Sequence, residues 1–166
     1  MQEIVEQCGL RVENIYRARG YCCSEAIIVG LNGIFRAGLE ETTALRLGSG
    51  FCHGMGGAEG DCGALAGAEL MLGLLLGPHQ EGGLAKKTFR KEVAAAMHDR
   101  FRTRFAASGC QVLLKRRKEK IGAGCAELTQ GAAEIATQLI LVWRPQLADR
   151  IDHGFLAARE VRSGKA

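Results

Sequence analysis

The sequence predicts an all-α fold, a single bundle-like domain of about six or seven helices. Three observations predict it. Apolar residues recur at three- and four-residue spacing over most of the 166 residues, which is the period of a helix face. No stretch alternates apolar and polar residues with the period of a half-buried strand. Glycines and a late proline break the periodic runs where helices would stop and restart. Taken in order, Ile4, Val5, Cys8, Val12, Ile15 and Tyr16 share one face of a first helix that Gly20 ends. A second helix spans Cys23 to Phe35, with Ile27, Leu31, Ile34 and Phe35 inside, and a short third runs from Glu40 to Leu47. Gly48, Gly50, Gly54, Gly56, Gly57 and Gly60 then crowd one stretch, which Asp61 closes as an N-cap. Cys62 to Leu76 reads as a buried central helix, too short for a membrane span and carrying Glu69. Pro78 to Gly83 is a loop. Leu84 to about Phe105 is amphipathic, with Phe89, Val93, Met97, Phe101 and Phe105 on one stripe. After Ser108-Gly109 a short helix starts near Cys110, and after Gly122 and Gly124 another runs from Cys125 to about Trp143. Pro145 restarts the chain, and residues 145–166 are expected to form a weakly docked tail.

Composition bounds the rest. With 47% hydrophobic and 24% charged residues, the chain is globular, and 1–166 forms one domain able to bury a core without disulfide staples. Two prolines exclude collagen and proline-rich linkers. A net charge of +4 is too mild to imply a nucleic-acid partner, and no segment implies membrane insertion. Glu3 and Glu6 interrupt any signal-like start, so a cytoplasmic protein with reduced thiols is expected. Seven cysteines are an odd number, so they cannot all pair internally.

Four of those cysteines share a context. Cys23, Cys62, Cys110 and Cys125 each follow a glycine-containing break and precede a helical run. Free N–H groups at a helix N-terminus favour thiolate over thiol, and thiolate is both the nucleophile and the metal ligand. One such cysteine could be a buried small hydrophobe. Four in the same context point to a shared redox or metal site.

The stretch Gly48 to Asp61 satisfies neither the P-loop nor the dinucleotide pattern. Its backbone N–H groups, with Gly54, Gly56, Gly57 and Gly63 as candidates, would donate to cluster sulfides or a bound anion. Cys52 and His53 sit inside it and could join the site, Cys52 as a further metal ligand. Cys8, mid-helix, is expected in the core. Cys22 neighbours Cys23, and a vicinal disulfide there would need distorted geometry. His79, His98 and His153 are isolated and expected in solvent. The basic run Lys115 to Lys120 reads as a solvated helix end. No Cys-x-x-Cys-His occurs, which argues against covalent haem.

Cys23-Ser24-Glu25-Ala26, Gly50-Phe51 with Gly54-Met55-Gly56, then Cys62-Gly63-Ala64-Leu65-Ala66-Gly67, and single cysteines at 110 and 125 occur in that order. Over about residues 20–128 this pattern resembles the C_GCAxxG_C_C family of redox-active proteins. The resemblance implies a small helical protein with four functional cysteines. A related domain occurs in split-Soret cytochromes c, beside haem-binding sequence and an iron–sulfur site. The chain departs from the family at Cys52 and His53, where members commonly carry glycine.

Three readings follow. Cys23, Cys62, Cys110 and Cys125 hold an iron–sulfur cluster for electron transfer to a redox partner that the sequence does not name. Alternatively they are exchangeable redox thiols without metal. In the third they bind structural zinc. The glycine-faced helix at Gly63 and Gly67 would also suit a homodimer.

Overall fold

The computed structural model describes residues 1–79 and 83–161, and among these the chain is helical with no strand. Part of the loop expected at 78–83 and the last residues of the tail lie outside the described residues. The helices are α1 (Gln2–Arg19), α2 (Cys23–Phe35), α3 (Glu41–Ser49), a single turn α4 (Cys52–Met55), α5 (Gly63–Leu76), α6 (Gly83–Thr88), α7 (Ala95–Phe105), α8 (Cys110–Lys118), α9 (Cys125–Trp143) and α10 (His153–Ala157). A π-helical segment, Phe89–Ala94, joins α6 to α7, and a 3-10 segment, Pro145–Arg150, follows α9.

The centre is α2, which packs against α1, α3, α5 and α9, while α1 lies along α9. Neighbours on most sides explain why α2 is largely apolar. Ile27, Leu31, Ile34 and Phe35 are fully buried there, with Leu65, Met71 and Leu72 from α5 and Ile140 from α9. The bare face of α5 is filled from within the chain. A Cβ on Gly63 would lie 2.6 Å from the Cys23 sulfur, and one on Gly67 would lie 2.9 Å from the Ser24 carbonyl. The glycines that suggested a dimer face therefore seat α5 against the start of α2.

The stripe Phe89, Val93, Met97, Phe101 and Phe105 repeats every fourth residue. In an α-helix each such step overshoots by about 40°. A π segment turns more slowly, and its presence at Phe89–Ala94 keeps Val93, Met97 and Phe101 all buried.

The segment after Pro145, expected to dock weakly, buries Leu147, Ile151 and Leu156. The Asp152 N–H donates to the Ile34 carbonyl at 2.8 Å. Arg11, only 2% exposed, donates to the Phe155 carbonyl at 2.8 Å and to the Glu160 carboxylate at 3.2 Å. A buried guanidinium needs such partners, and the tail supplies them.

Candidate functional site

Helix starts position the four cysteines. Cys23, Cys110 and Cys125 are the first residues of α2, α8 and α9, and Cys62 is the N-cap of α5. All four line one cavity of about 240 Å³. Four helix N-termini therefore direct free N–H groups and positive dipole ends toward the thiols. Leu113, Leu114 and Leu128 form apolar wall, and Tyr16, Arg117, His53 and Cys22 also line it.

The backbone ties two of these starts together. The Cys62 N–H donates to the Ser108 carbonyl at 2.7 Å, and the Cys110 N–H donates to the Gly60 carbonyl at 3.0 Å. They flank an isolated antiparallel bridge between Asp61 and Gly109. Asp61, expected to cap α5, instead precedes the N-cap, and its carboxylate lies 3.9 Å from His98 Nε2. His98 is thereby engaged, whereas His79 and His153 are exposed as expected.

Cys23 and Cys62 act as a pair. The Cys62 thiol hydrogen-bonds the Cys23 sulfur, and the amides of Cys23, Ser24 and Ala64 add to it, so the Cys23 pKa falls to about 7 against the cost of burial. The same bond, with burial, pushes the Cys62 thiol up. Burial and then the charges of Cys23 and Cys125 push Cys110 up as well.

Gly54 has φ +73, and a Cβ there would run into the Cys110 Cβ and lie 2.9 Å from the Gly60 carbonyl oxygen. Only a residue without a side chain lets the loop pass Cys110 so closely. Gly63, the other buried candidate, abuts the Cys23 sulfur. Gly56 and Gly57 have positive φ, are exposed and stand away from the cavity lining.

Cys52, considered as a further ligand, is bonded to Cys22, so its sulfur is engaged. The same bond means that Cys22 pairs across thirty residues and not with its neighbour Cys23. Glu25 stands beside this disulfide. Among the described residues, Cys22, Glu25 and Cys52 are the ligand-type side chains grouped within 4.8 Å of one another. Cys8 is fully buried in α1, and burial pushes its thiol up to about 11.

Two lining residues escaped the sequence reading. Arg117, from the basic run taken as solvated, has Nη1 4.0 Å from the Cys125 sulfur. Tyr16, taken as ordinary helix face, has its hydroxyl pKa raised by burial and then by the charges of Cys125 and Cys23. Their position one to two turns from a glycine break was the available signal.

No curated protein and no solved structure matches the chain. Residues 21–139 match the family described as "Putative redox-active protein (C_GCAxxG_C_C)", and with most of its length covered, the chain belongs to that family.

Proposed function

We propose that Cys23, Cys62, Cys110 and Cys125 hold an iron–sulfur cluster and that the protein transfers electrons. The observation that carries this reading is the convergence of four helix-start thiols on one cavity of about 240 Å³. Four cysteine thiolates are the usual ligand set of two-iron and four-iron clusters, which accept and release single electrons. The residues present fit such a group. Helix N-termini offset the negative charge of thiolates and sulfides. Arg117 adds a cation beside Cys125, and the leucine wall limits water.

A second reading rests on a different observation. Cys23 and Cys62 line one cavity, and the Cys62 thiol lowers Cys23 to a pKa of about 7, the pattern of an exchanging thiol pair. No helix among the described residues is long and apolar enough to cross a membrane. Five cysteines are free, as a reducing compartment favours, whereas the Cys22–Cys52 disulfide departs from the reduced thiols that the sequence predicts. The cytoplasm is the location we propose, with that bond as the exception.

Anaerobic purification followed by iron and labile sulfide analysis tests the cluster. Brown protein with both elements in stoichiometric amount supports it. Colourless, metal-free protein whose Cys23 and Cys62 titrate reversibly as a pair transfers the function to thiol exchange. Colourless protein with stoichiometric zinc rejects both.

A further inference from the structure

We propose that Cys22, Glu25 and Cys52 form a second, redox-gated site that binds a thiophilic divalent cation such as zinc once the Cys22–Cys52 disulfide is reduced. The site uses none of the four cavity thiols as ligands, although Cys22 borders the same cavity.

Its three donor atoms already lie within 4.8 Å of one another. They come from two elements, the start of α2 and the turn α4, so the site bridges the glycine loop to the central helix. Glu25 is the third residue of the capping box at the start of α2, with Cys22 as the N-cap, so helix capping fixes a carboxylate beside the two sulfurs. Glu25 is held there by both oxygens: Oε2 accepts the Cys22 N–H at 3.0 Å and Oε1 accepts the Ser49 hydroxyl at 3.0 Å. Outer hydrogen bonds of this kind fix a ligating carboxylate in place.

Both cysteines keep their backbone anchors without the S–S bond. The Cys22 carbonyl accepts the Ala26 N–H at 2.9 Å, and the Cys52 carbonyl accepts the Gly56 N–H at 2.8 Å. The Ser24 hydroxyl donates to the Gly48 carbonyl at 2.8 Å, which ties the start of α2 to the end of α3 just before Cys52, so the sulfurs should stay neighbours after reduction. Cys22 also faces the cavity, which gives a small dithiol a path to the bond.

The chemistry balances. A dithiol reductant gives two electrons and two protons to the Cys22–Cys52 disulfide. The reductant is left as its own disulfide, and Cys22 and Cys52 as thiols. A zinc ion then displaces the two thiol protons and binds two thiolates and the Glu25 carboxylate, leaving one position for water. Two thiolates and a carboxylate suit zinc far better than magnesium or calcium.

The test uses the full chain, free of iron, in two states distinguished by thiol counting: oxidised with five free thiols and reduced by dithiothreitol with seven. After anaerobic removal of the reductant, each is titrated with zinc against a chromogenic chelator. The reduced protein should bind one zinc more than the oxidised protein. Cys52→Ser should abolish the difference, and Glu25→Gln should weaken the extra site by about tenfold or more, with circular dichroism unchanged. Equal stoichiometry in the two states of the unmutated chain overturns the proposal, as does an extra zinc that survives in Cys52→Ser. Iron–sulfur assembly is scored separately, and Cys52→Ser should retain it.

Discussion

The Cys62 N–H donates to the Ser108 carbonyl at 2.7 Å, and the return bond from Cys110 to Gly60 makes the link reciprocal. This two-bond clasp sets the start of α5 against the start of α8, so two of the cavity thiols share one rigid frame. Gly54 presses on it from the loop side. Gly54→Ala should place a methyl against Cys110 at a left-handed backbone position. The expected loss is about 2 kcal/mol or more from the combined strain and overpacking. Denaturant unfolding measures the loss, and faster Cys110 alkylation reports the loosened clasp. Unchanged stability and unchanged Cys110 reactivity would separate Gly54 from the site.

The Cys23–Cys62 pair gives a pH prediction. A thiol lowered to about 7 is protonated and slow to alkylate below that value, and it is a fast-reacting thiolate above it. The rate should rise through a midpoint near 7 in the unmodified chain. Gly63→Ala puts a methyl 2.6 Å from the Cys23 sulfur and should part the pair, moving the midpoint up toward the ordinary thiol value of about 8.5. Cys62→Ala, which removes the hydrogen bond outright, should move it in the same direction. A midpoint insensitive to both changes would show that the helix terminus alone sets the Cys23 pKa.

Glu69 gives a second pH effect of opposite sense. Burial, and then the charge of Asp61, raises its carboxyl from 4.5 to about 7. The fold prefers the neutral acid, so this stabilisation is complete below about 4.5 and is lost as the pH rises through about 7. Glu69→Gln keeps a neutral side chain at every pH. The variant should therefore be more stable than the unmodified chain above pH 7 and should lose the Glu69 part of the pH dependence. Thermal melts on both sides of pH 7 make the comparison.

Arg11 anchors the C-terminal segment. Its guanidinium is buried among the Phe155 carbonyl, Asn14 and Glu160. Arg11→Ala should cost about 3 kcal/mol or more, because it strips partners from buried polar groups. Proteolysis should then cut the segment after Pro145 first. A silent substitution would mean that the apolar contacts of Leu147, Ile151 and Leu156 hold the segment alone.

The spans of α2 and α9 were legible in the sequence because each begins at a cysteine after a break and continues without proline, with apolar residues recurring at helical spacing. The helix-start context of the four cysteines was legible for the same reason. The clasp between Cys62 and Cys110 was not, since a bridge one residue long on each side leaves no alternating pattern. The Cys22–Cys52 bond was hidden because pairing depends on where the glycine loop folds back, and His53, Met55 and Glu59 adopt left-handed backbone there without any local signal. The anchoring of the tail by Arg11 was not legible, because its partners Phe155 and Glu160 lie about 145 residues away in the chain.

The most direct measurement is the iron and labile sulfide content of anaerobically reconstituted protein for Cys23→Ser, Cys62→Ser, Cys110→Ser and Cys125→Ser, with Cys8→Ser alongside. Cys8 is buried in α1 and stands outside the cavity lining. The account predicts that the unmodified chain and Cys8→Ser retain a full cluster. Cys62→Ser should lose it, and each of the other three should lose or sharply reduce it, with helical content unchanged. A full cluster in Cys62→Ser together with a lost one in Cys8→Ser would contradict the assignment of the cavity thiols as the redox centre.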